Sequence, residues 1–275
     1  MAEALGWLKE VLRYWWAGAV ALVRARHTVI VLSAILLLML WGRHGEVELL
    51  RLIVPGWTGP GSAVSPARAV IIPGLPWDQE WIAFGIGALL LVVVPCLLIR
   101  FGFKERLRDY GLGGPKPGQW PFTLAATFLL GLFAYPSMYE AAQFASMRAV
   151  YPLCRQLGSL GDFVAFELGY FVFFLVIEFV FRGYLLLGVF GAHHPEGARG
   201  ARESADPPLL SHYSIVVSML SYTAWHLGKP LPELWSTPIW GVLAGALVLR
   251  SGTIWPVLMV HWSMNVLFDY VIWRS

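Results

Sequence analysis

Long apolar runs separated by short polar connections are the dominant pattern of this chain. A helix that crosses a membrane needs about 20 predominantly apolar residues. Seven runs approach or reach that length, at about Thr28–Trp41, Trp81–Ile99, Trp120–Ala142, Phe163–Phe190, Tyr213–Leu227, Leu234–Leu249 and Ile254–Trp273. The pattern predicts an all-α polytopic membrane protein, a bundle of about seven to eight transmembrane helices.

The N-terminal segment supplies the candidate eighth helix. Residues 2–26 alternate Trp and Leu with charged side chains at helical spacing, which predicts an amphipathic helix that lies in the interface or forms a short span. A loop rich in Gly and Pro follows at residues 42–79. We therefore divide the chain into residues 1–109, which hold this helix, the first spans and the loop, and a helical core at residues 110–275.

Composition supports the membrane assignment. The 275 residues are 57% hydrophobic and 13% charged, whereas soluble domains carry about 25% charged residues. The net charge of +3 is small, so we expect no nucleic-acid partner. Basic residues are densest at residues 100–118, which the positive-inside rule places in the cytoplasm. Cys96 and Cys154 lack CxxC spacing and are interpreted as small buried side chains.

Three polar pairs at i,i+4 spacing interrupt the later apolar runs. Each pair lies on one face of its helix, and polar side chains within a membrane turn toward the bundle interior. We therefore expect the pairs to share one buried cavity. A carboxylate, two imidazoles and an amide suit hydrolysis, because they can activate water and stabilise an oxyanion. The pairs are Glu178/Arg182, Tyr222/His226 and His261/Asn265.

Other interpretations stay open for each pair taken alone. Glu178/Arg182 also fits an intrahelical ion pair, His226 an interfacial histidine, and His261/Asn265 an interhelical hydrogen-bonding pair. The His-Glu-x-x-His motif of zinc proteases is absent. We therefore predict no cofactor, and a zinc mechanism would need ligands outside that motif.

The three motifs and their order resemble the CPBP intramembrane proteases, also called the Abi or CAAX-protease family. That family's first motif, Glu-Glu-x-x-x-Arg followed by Gly, matches Ile177–Gly183 here, and its second, Phe-x-x-x-His, matches Tyr222–His226. Its third, His-x-x-x-Asn/Asp, matches His261–Asn265 after a similar turn at Ser251–Pro256. The resemblance covers about Tyr110–Asp269, so it implies that residues 110–275 are a protease core.

The resemblance implies an intramembrane endopeptidase that cleaves near the C-terminal tail of a membrane-associated, lipidated or tail-anchored protein. It implies a multi-pass protein of the cell membrane, here the bacterial inner membrane, surrounded by the lipid bilayer. It does not specify the oligomeric state. The Arg-, Gly- and Ala-rich loop at residues 191–212 favours the myxosortases, a bacterial subfamily that trims C-terminal sorting tails.

The resemblance also implies a role for each residue at the site. His226 binds the attacking water, and His261 and Asn265 stabilise the oxyanion. Arg182 orients Glu178, and Tyr222 is the supporting aromatic residue of the second motif.

One position departs from the family pattern. Ile177 stands where the family has the first glutamate, which is taken to activate the water. Glu178 is then the expected base, although an ion pair with Arg182 would weaken it as a base. Glu140 is another carboxylate to consider, and Glu167 lies ~16 Å from Glu178 along the same helix.

This departure leaves other functions open. One is a catalytically degenerate relative that acts as a membrane scaffold or as an immunity or partner-binding protein. Another is a transporter, although no inverted repeat is visible.

Overall fold

The structure is a computed structural model that describes residues 7, 9–17, 25–41, 78–154, 156–192 and 209–275. Within these ranges every long regular element is a helix. In chain order the helices are α1 (9–17), α2 (Arg26–Trp41), α3 (78–102), α4 (Trp120–Ala141), α5 (Ala145–Arg148), α6 (160–192), α7 (Leu209–Trp225), α8 (Leu231–Ser251) and α9 (Trp255–Trp273). The all-α prediction is confirmed for these residues, and each predicted apolar run coincides with a helix.

Three of the described helices are long and apolar enough to cross a membrane, which agrees with a multi-pass membrane protein. They cover Glu80–Gly102, Trp120–Ala141 and Leu160–Phe190, and α2 is a shorter apolar helix. The predicted count of seven to eight spans is not confirmed. Helices α2 and α7 are short, with 16 and 17 residues, and α8 and α9 carry the polar side chains of the site, which reduce their apolar character.

The N-terminal prediction is described only in part. Residues 9–17 are helical and every side chain there is exposed, including Trp15 and Trp16. Most of the two predicted loops, at residues 42–79 and 191–212, lies outside the described residues, which exclude 42–77 and 193–208.

Helix α6 is the centre of the fold. Ser159 caps its N-terminus, because the Ser159 hydroxyl accepts a hydrogen bond from the Asp162 backbone N–H at 3.1 Å. Residues 176–190 are all buried, as expected for a helix that is apolar on every face. Helices α2, α3, α7, α8 and α9 pack around it, so a polar side chain on α6 can meet groups from several helices.

The helical geometry of α6 changes next to Glu178. The helix is α-helical over Leu160–Glu178, a π-helix over Phe179–Leu187, and α-helical again over Gly188–Ala192. Such wider turns are rare and frequently occur at functional sites. Within this stretch, a Cβ atom on Gly183 would lie 2.7 Å from the Tyr110 carbonyl oxygen. Glycine at the end of the first motif therefore lets the backbone at Tyr110 pack closely against α6.

The segment before α4 fixes the start of α9. The backbone N–H of Ile254 donates to the Gly111 carbonyl at 3.0 Å, and the Thr253 hydroxyl donates to the Gly113 carbonyl at 2.6 Å. Gly252 ends α8 with a positive φ of 74°, a conformation that glycine adopts readily. These bonds hold the turn of the third motif and so set the position of His261 along α9.

Candidate active site

A cavity of about 220 Å³ lies among α4, α6, α7, α8 and α9, and its lining brings together residues of all three motifs. Its polar side chains come mainly from the second and third motifs and from α8. The residues that matter here are Ile177, Tyr222, His226, Glu233, His261 and Asn265. The second and third helical pairs therefore share this cavity as expected, whereas Glu178 and Arg182 of the first pair are not part of its lining.

Glu178 lies behind the cavity wall and bonds to His261. Its Oε1 atom lies 2.5 Å from His261 Nδ1 and accepts a further hydrogen bond from Trp240 Nε1 at 3.3 Å. Because a carboxylate only accepts hydrogen bonds, we place a proton on His261 Nδ1. The opposite ring nitrogen, Nε2, is then turned away from Glu178, while the ring itself lines the cavity.

Arg182 supplies the charge that compensates Glu178. Its Nε atom lies 3.5 Å from Glu178 Oε2, and both side chains are fully buried. The guanidinium also lies over the ring face of Tyr222, 4.2 Å from the centroid. In the described part of the chain, no hydrogen-bond partner reaches the three guanidinium nitrogens. The predicted intrahelical ion pair is present as a contact between two buried charges.

His226 pairs with a carboxylate that sequence reasoning did not select. Its Nδ1 atom lies 2.8 Å from the Tyr222 carbonyl oxygen, which only accepts, so we place the proton there. The other ring nitrogen, Nε2, lies 3.7 Å from Glu233 Oε1. The sequence hypothesis has Glu178 and His226 acting together on one water. Instead, Glu178 bonds to His261, and Glu233 is the carboxylate within 4 Å of His226.

Glu233 is held at the start of α8 by two neighbours. Tyr151 donates its hydroxyl proton to the carboxylate, with 2.8 Å to each oxygen. Burial, followed by the Glu233 charge, raises the pKa of Tyr151 and keeps that proton in place. Lys229 Nζ lies 3.1 Å from Glu233 Oε1 and 2.5 Å from the Tyr151 hydroxyl. Glu233 therefore has a defined orientation at the cavity.

The sequence contained a weak signal for this residue. Lys229 and Glu233 have i,i+4 spacing, but the predicted span began at Leu234 and left both outside it. The helix begins at Leu231, because Pro230 and Pro232 fit the cap and first turn of a helix. Trp240, on the same helix, was also missed because its bond to Glu178 depends on tertiary packing.

Asn265 lies one turn beyond His261 on α9, and both line the cavity. Its side-chain amide donates to Asp269 Oδ2 at 3.0 Å, which fixes the amide plane. Asp269 is fully buried and interacts with the Glu167 carboxyl. Glu167 thus belongs to this supporting cluster rather than to the ion pair of Glu178.

Tyr222 lies between the two histidines. Its ring centroid is 4.4 Å from that of His226 and 6.4 Å from that of His261. Glu140, the other carboxylate considered from sequence, is an exposed residue near the end of α4. Among the described residues, no group of three or more His, Cys, Asp or Glu side chains is arranged to hold a metal ion.

Together, the fold and the cavity define a polytopic helical membrane protein with paired histidines and carboxylates at a buried polar site. A family model described as type II CAAX prenyl endopeptidase Rce1-like matches residues 159–267. The match begins at the N-cap of α6, ends within α9 and contains the three motifs. The match supports the resemblance to the CPBP or CAAX-protease family that the motifs predicted. Comparisons with curated proteins and with solved structures find no match.

Proposed function

We propose that this protein is an intramembrane endopeptidase that hydrolyses a peptide bond near the C-terminal tail of a membrane-associated protein. The observation that carries the proposal is the cavity itself, where the imidazole and amide of α9 and the imidazole at the end of α7 face one space. Each imidazole has a carboxylate beside it. The match of residues 159–267 to the Rce1-like family model also supports a CAAX-type peptidase reaction.

In the proposed reaction the scissile carbonyl binds beside α9. His261 Nε2, when protonated, and the Asn265 amide then donate hydrogen bonds to the oxyanion of the tetrahedral intermediate. Glu178 compensates the positive charge of His261, to which it is bonded at 2.5 Å. Water attacks from the opposite side, where the unprotonated Nε2 of His226 accepts a hydrogen bond from it. This geometry favours a positioning role for Glu178 over the role of base.

The apolar surroundings of the cavity favour a substrate that arrives from the lipid. Phe133 on α4 and Ile239 on α8 contribute to the lining and are 67% and 66% exposed. Exposed apolar side chains at a cavity mouth suit contact with acyl chains, a lipid anchor or a hydrophobic tail. We therefore propose a lipidated or tail-anchored protein as the substrate, with CAAX-type processing or removal of a C-terminal sorting tail as the two variants.

The setting of this activity is part of the same proposal. We place the protein in the cell membrane as a multi-pass protein, specifically the bacterial inner membrane, with no nucleic-acid partner. We propose a cofactor-free reaction, so peptide hydrolysis should persist after treatment with a metal chelator.

The test uses the purified full chain in liposomes with two peptide substrates. One carries a prenylated C-terminal cysteine motif, and the other carries an unmodified apolar tail. Mass spectrometry should detect cleavage of at least one peptide by the wild-type protein and its loss in His261→Ala. His27→Ala is the matched control, because His27 is an exposed histidine on α2. Equal cleavage by the wild type and His261→Ala would contradict the proposal.

One observation favours a different function. Ile177, buried and part of the cavity lining, stands in place of a glutamate, as expected of a degenerate relative that binds a membrane partner. The same experiment separates the two functions, because a scaffold or immunity protein would cleave neither peptide above the level of protein-free liposomes.

A further inference from the structure

We propose that Glu233 is a catalytic residue of this cavity and that it activates the attacking water together with His226. This inference rests on the proposed peptidase function and adds a residue to it. Glu233 lies outside the three motifs, on α8, so neither the spacing of the motif residues nor their order points to it.

The distance between the two side chains carries the inference. His226 Nε2 and Glu233 Oε1 are 3.7 Å apart, which is too long for a direct hydrogen bond. His226 donates through Nδ1 to the Tyr222 carbonyl, so Nε2 and the carboxylate oxygen are both acceptors. A water molecule has two protons and can donate one to each acceptor. The two side chains can therefore hold a water molecule whose oxygen lone pairs remain free to attack a carbonyl carbon.

The contrast with Glu178 supports this assignment. Glu178 Oε1 is occupied by His261 and Trp240, and its Oε2 faces Arg182. Its side chain is 0% exposed and it does not belong to the cavity lining. The Glu233 side chain is 16% exposed and lines the cavity. Of these two carboxylates, Glu233 is the one that a water molecule in the cavity can reach.

The position of Ile177 explains why a carboxylate from another helix is needed. Ile177 is 1% exposed and lines the same cavity as His226. An isoleucine there contributes no acceptor for a proton. Glu233 brings a carboxylate to this cavity from α8, and the hydrogen bonds from Tyr151 and the contact with Lys229 keep it oriented toward His226.

The proposed step conserves atoms and protons. The water oxygen forms a bond to the carbonyl carbon while one water proton passes to Glu233. The carbonyl oxygen becomes the oxyanion. When the tetrahedral intermediate collapses, the carbon–nitrogen bond breaks and the proton held by Glu233 passes to the leaving amine. The products are a carboxylic acid and an amine, and Glu233 is again ionised.

The direct test compares Glu233→Gln with Tyr151→Phe in the liposome assay. Glu233→Gln keeps the size of the side chain but removes the base, so kcat should fall about 10²–10⁴-fold with little change in KM. Tyr151→Phe removes a hydrogen bond to Glu233 but leaves the carboxylate in place, so kcat should fall about tenfold or less, the equivalent of one hydrogen bond. The inference is overturned if Glu233→Gln keeps the wild-type kcat. Equal losses in the two variants would also overturn it, since they would indicate a structural role.

A rescue experiment separates catalysis from structure. Adding Ile177→Glu to Glu233→Gln returns a carboxylate to the same cavity from α6, and kcat should recover about tenfold or more relative to Glu233→Gln alone. A structural contact between Glu233 and Lys229 would not be restored by this change. A double variant that binds substrate normally but shows no recovery contradicts the inference.

These outcomes are distinct from failure of the proposed function. If the wild-type protein cleaves neither peptide, the peptidase assignment itself fails. If it cleaves a peptide and loses activity in His261→Ala while Glu233→Gln stays fully active, only the role of Glu233 is rejected.

Discussion

The cavity has two histidines, each beside a glutamate, and the two pairs differ in almost every other respect. His261 and Glu178 are 2.5 Å apart, and the Glu178 side chain has no exposure. His226 and Glu233 are 3.7 Å apart, and both side chains retain some exposure. Helix α8 contributes to both pairs, through Trp240 to the first and Glu233 to the second. The histidine and carboxylate of the first pair bond directly to each other, whereas the 3.7 Å gap in the second pair lies at the cavity and leaves room for a water molecule.

This difference explains why the same two residue types can perform different tasks. A histidine bonded to a buried carboxylate is fixed in orientation, which suits an oxyanion donor. A histidine and a carboxylate separated by more than a hydrogen-bond length suit the binding and deprotonation of water. Changes to the buried pair should therefore affect both stability and turnover.

The largest combined effect is expected for Glu178→Gln. The change leaves Arg182 fully buried without its counter-charge, which should lower the free energy of unfolding by about 3–5 kcal/mol. It also removes the charge that supports protonated His261, so turnover should fall about 10²–10⁴-fold. Thermal unfolding in detergent and the liposome assay measure the two effects.

Glu167→Gln is the matched control for this change. Glu167 is also a buried carboxyl on α6, but it interacts with Asp269 rather than with a histidine. An amide at this position can still donate to Asp269, so we expect a smaller loss of stability and turnover than in Glu178→Gln. Equal losses in the two variants would mean that burial alone, rather than the link to His261 and Arg182, accounts for the effect.

Sequence patterns selected both members of the first pair but only the histidine of the second. Glu178, His226 and His261 were selected because a polar residue at i,i+4 spacing within an apolar run is conspicuous. Which carboxylate faces which histidine depends on how α6, α7, α8 and α9 pack. No periodic pattern within one helix contains that information. The sequence hypothesis therefore paired Glu178 with His226 and missed Glu233.

The number of membrane spans shows a related limit. The helical positions followed from the apolar runs, with the start of α8 shifted by its prolines. Hydropathy is less informative for α8 and α9, because Glu233, His261, Asn265 and Asp269 all lie on them. The same residues that define the site weaken the signal that identifies a span.

An intermediate effect is expected for Asn265→Ala, which removes the amide proposed to donate to the oxyanion. Loss of one oxyanion donor lowers turnover by about 10²–10³-fold, and KM should change little because the interaction forms in the transition state. Ser263→Ala is the control on the same helix, since its hydroxyl bonds to the Met259 carbonyl away from the cavity lining. A large rise in KM with unchanged kcat would instead place Asn265 in substrate binding.

The smallest effect is expected for Tyr222, which lies between the two pairs and stacks on Arg182. Tyr222→Leu removes the ring face below the guanidinium and should lower the free energy of unfolding by about 0.5–2 kcal/mol. Tyr222→Phe keeps that face and should unfold at nearly the wild-type temperature. If Tyr222→Phe is as destabilised as Tyr222→Leu, the hydroxyl rather than the ring supports Arg182. If Tyr222→Leu also alters turnover by more than its loss of stability explains, the two histidine–carboxylate pairs are coupled through this ring and do not function independently.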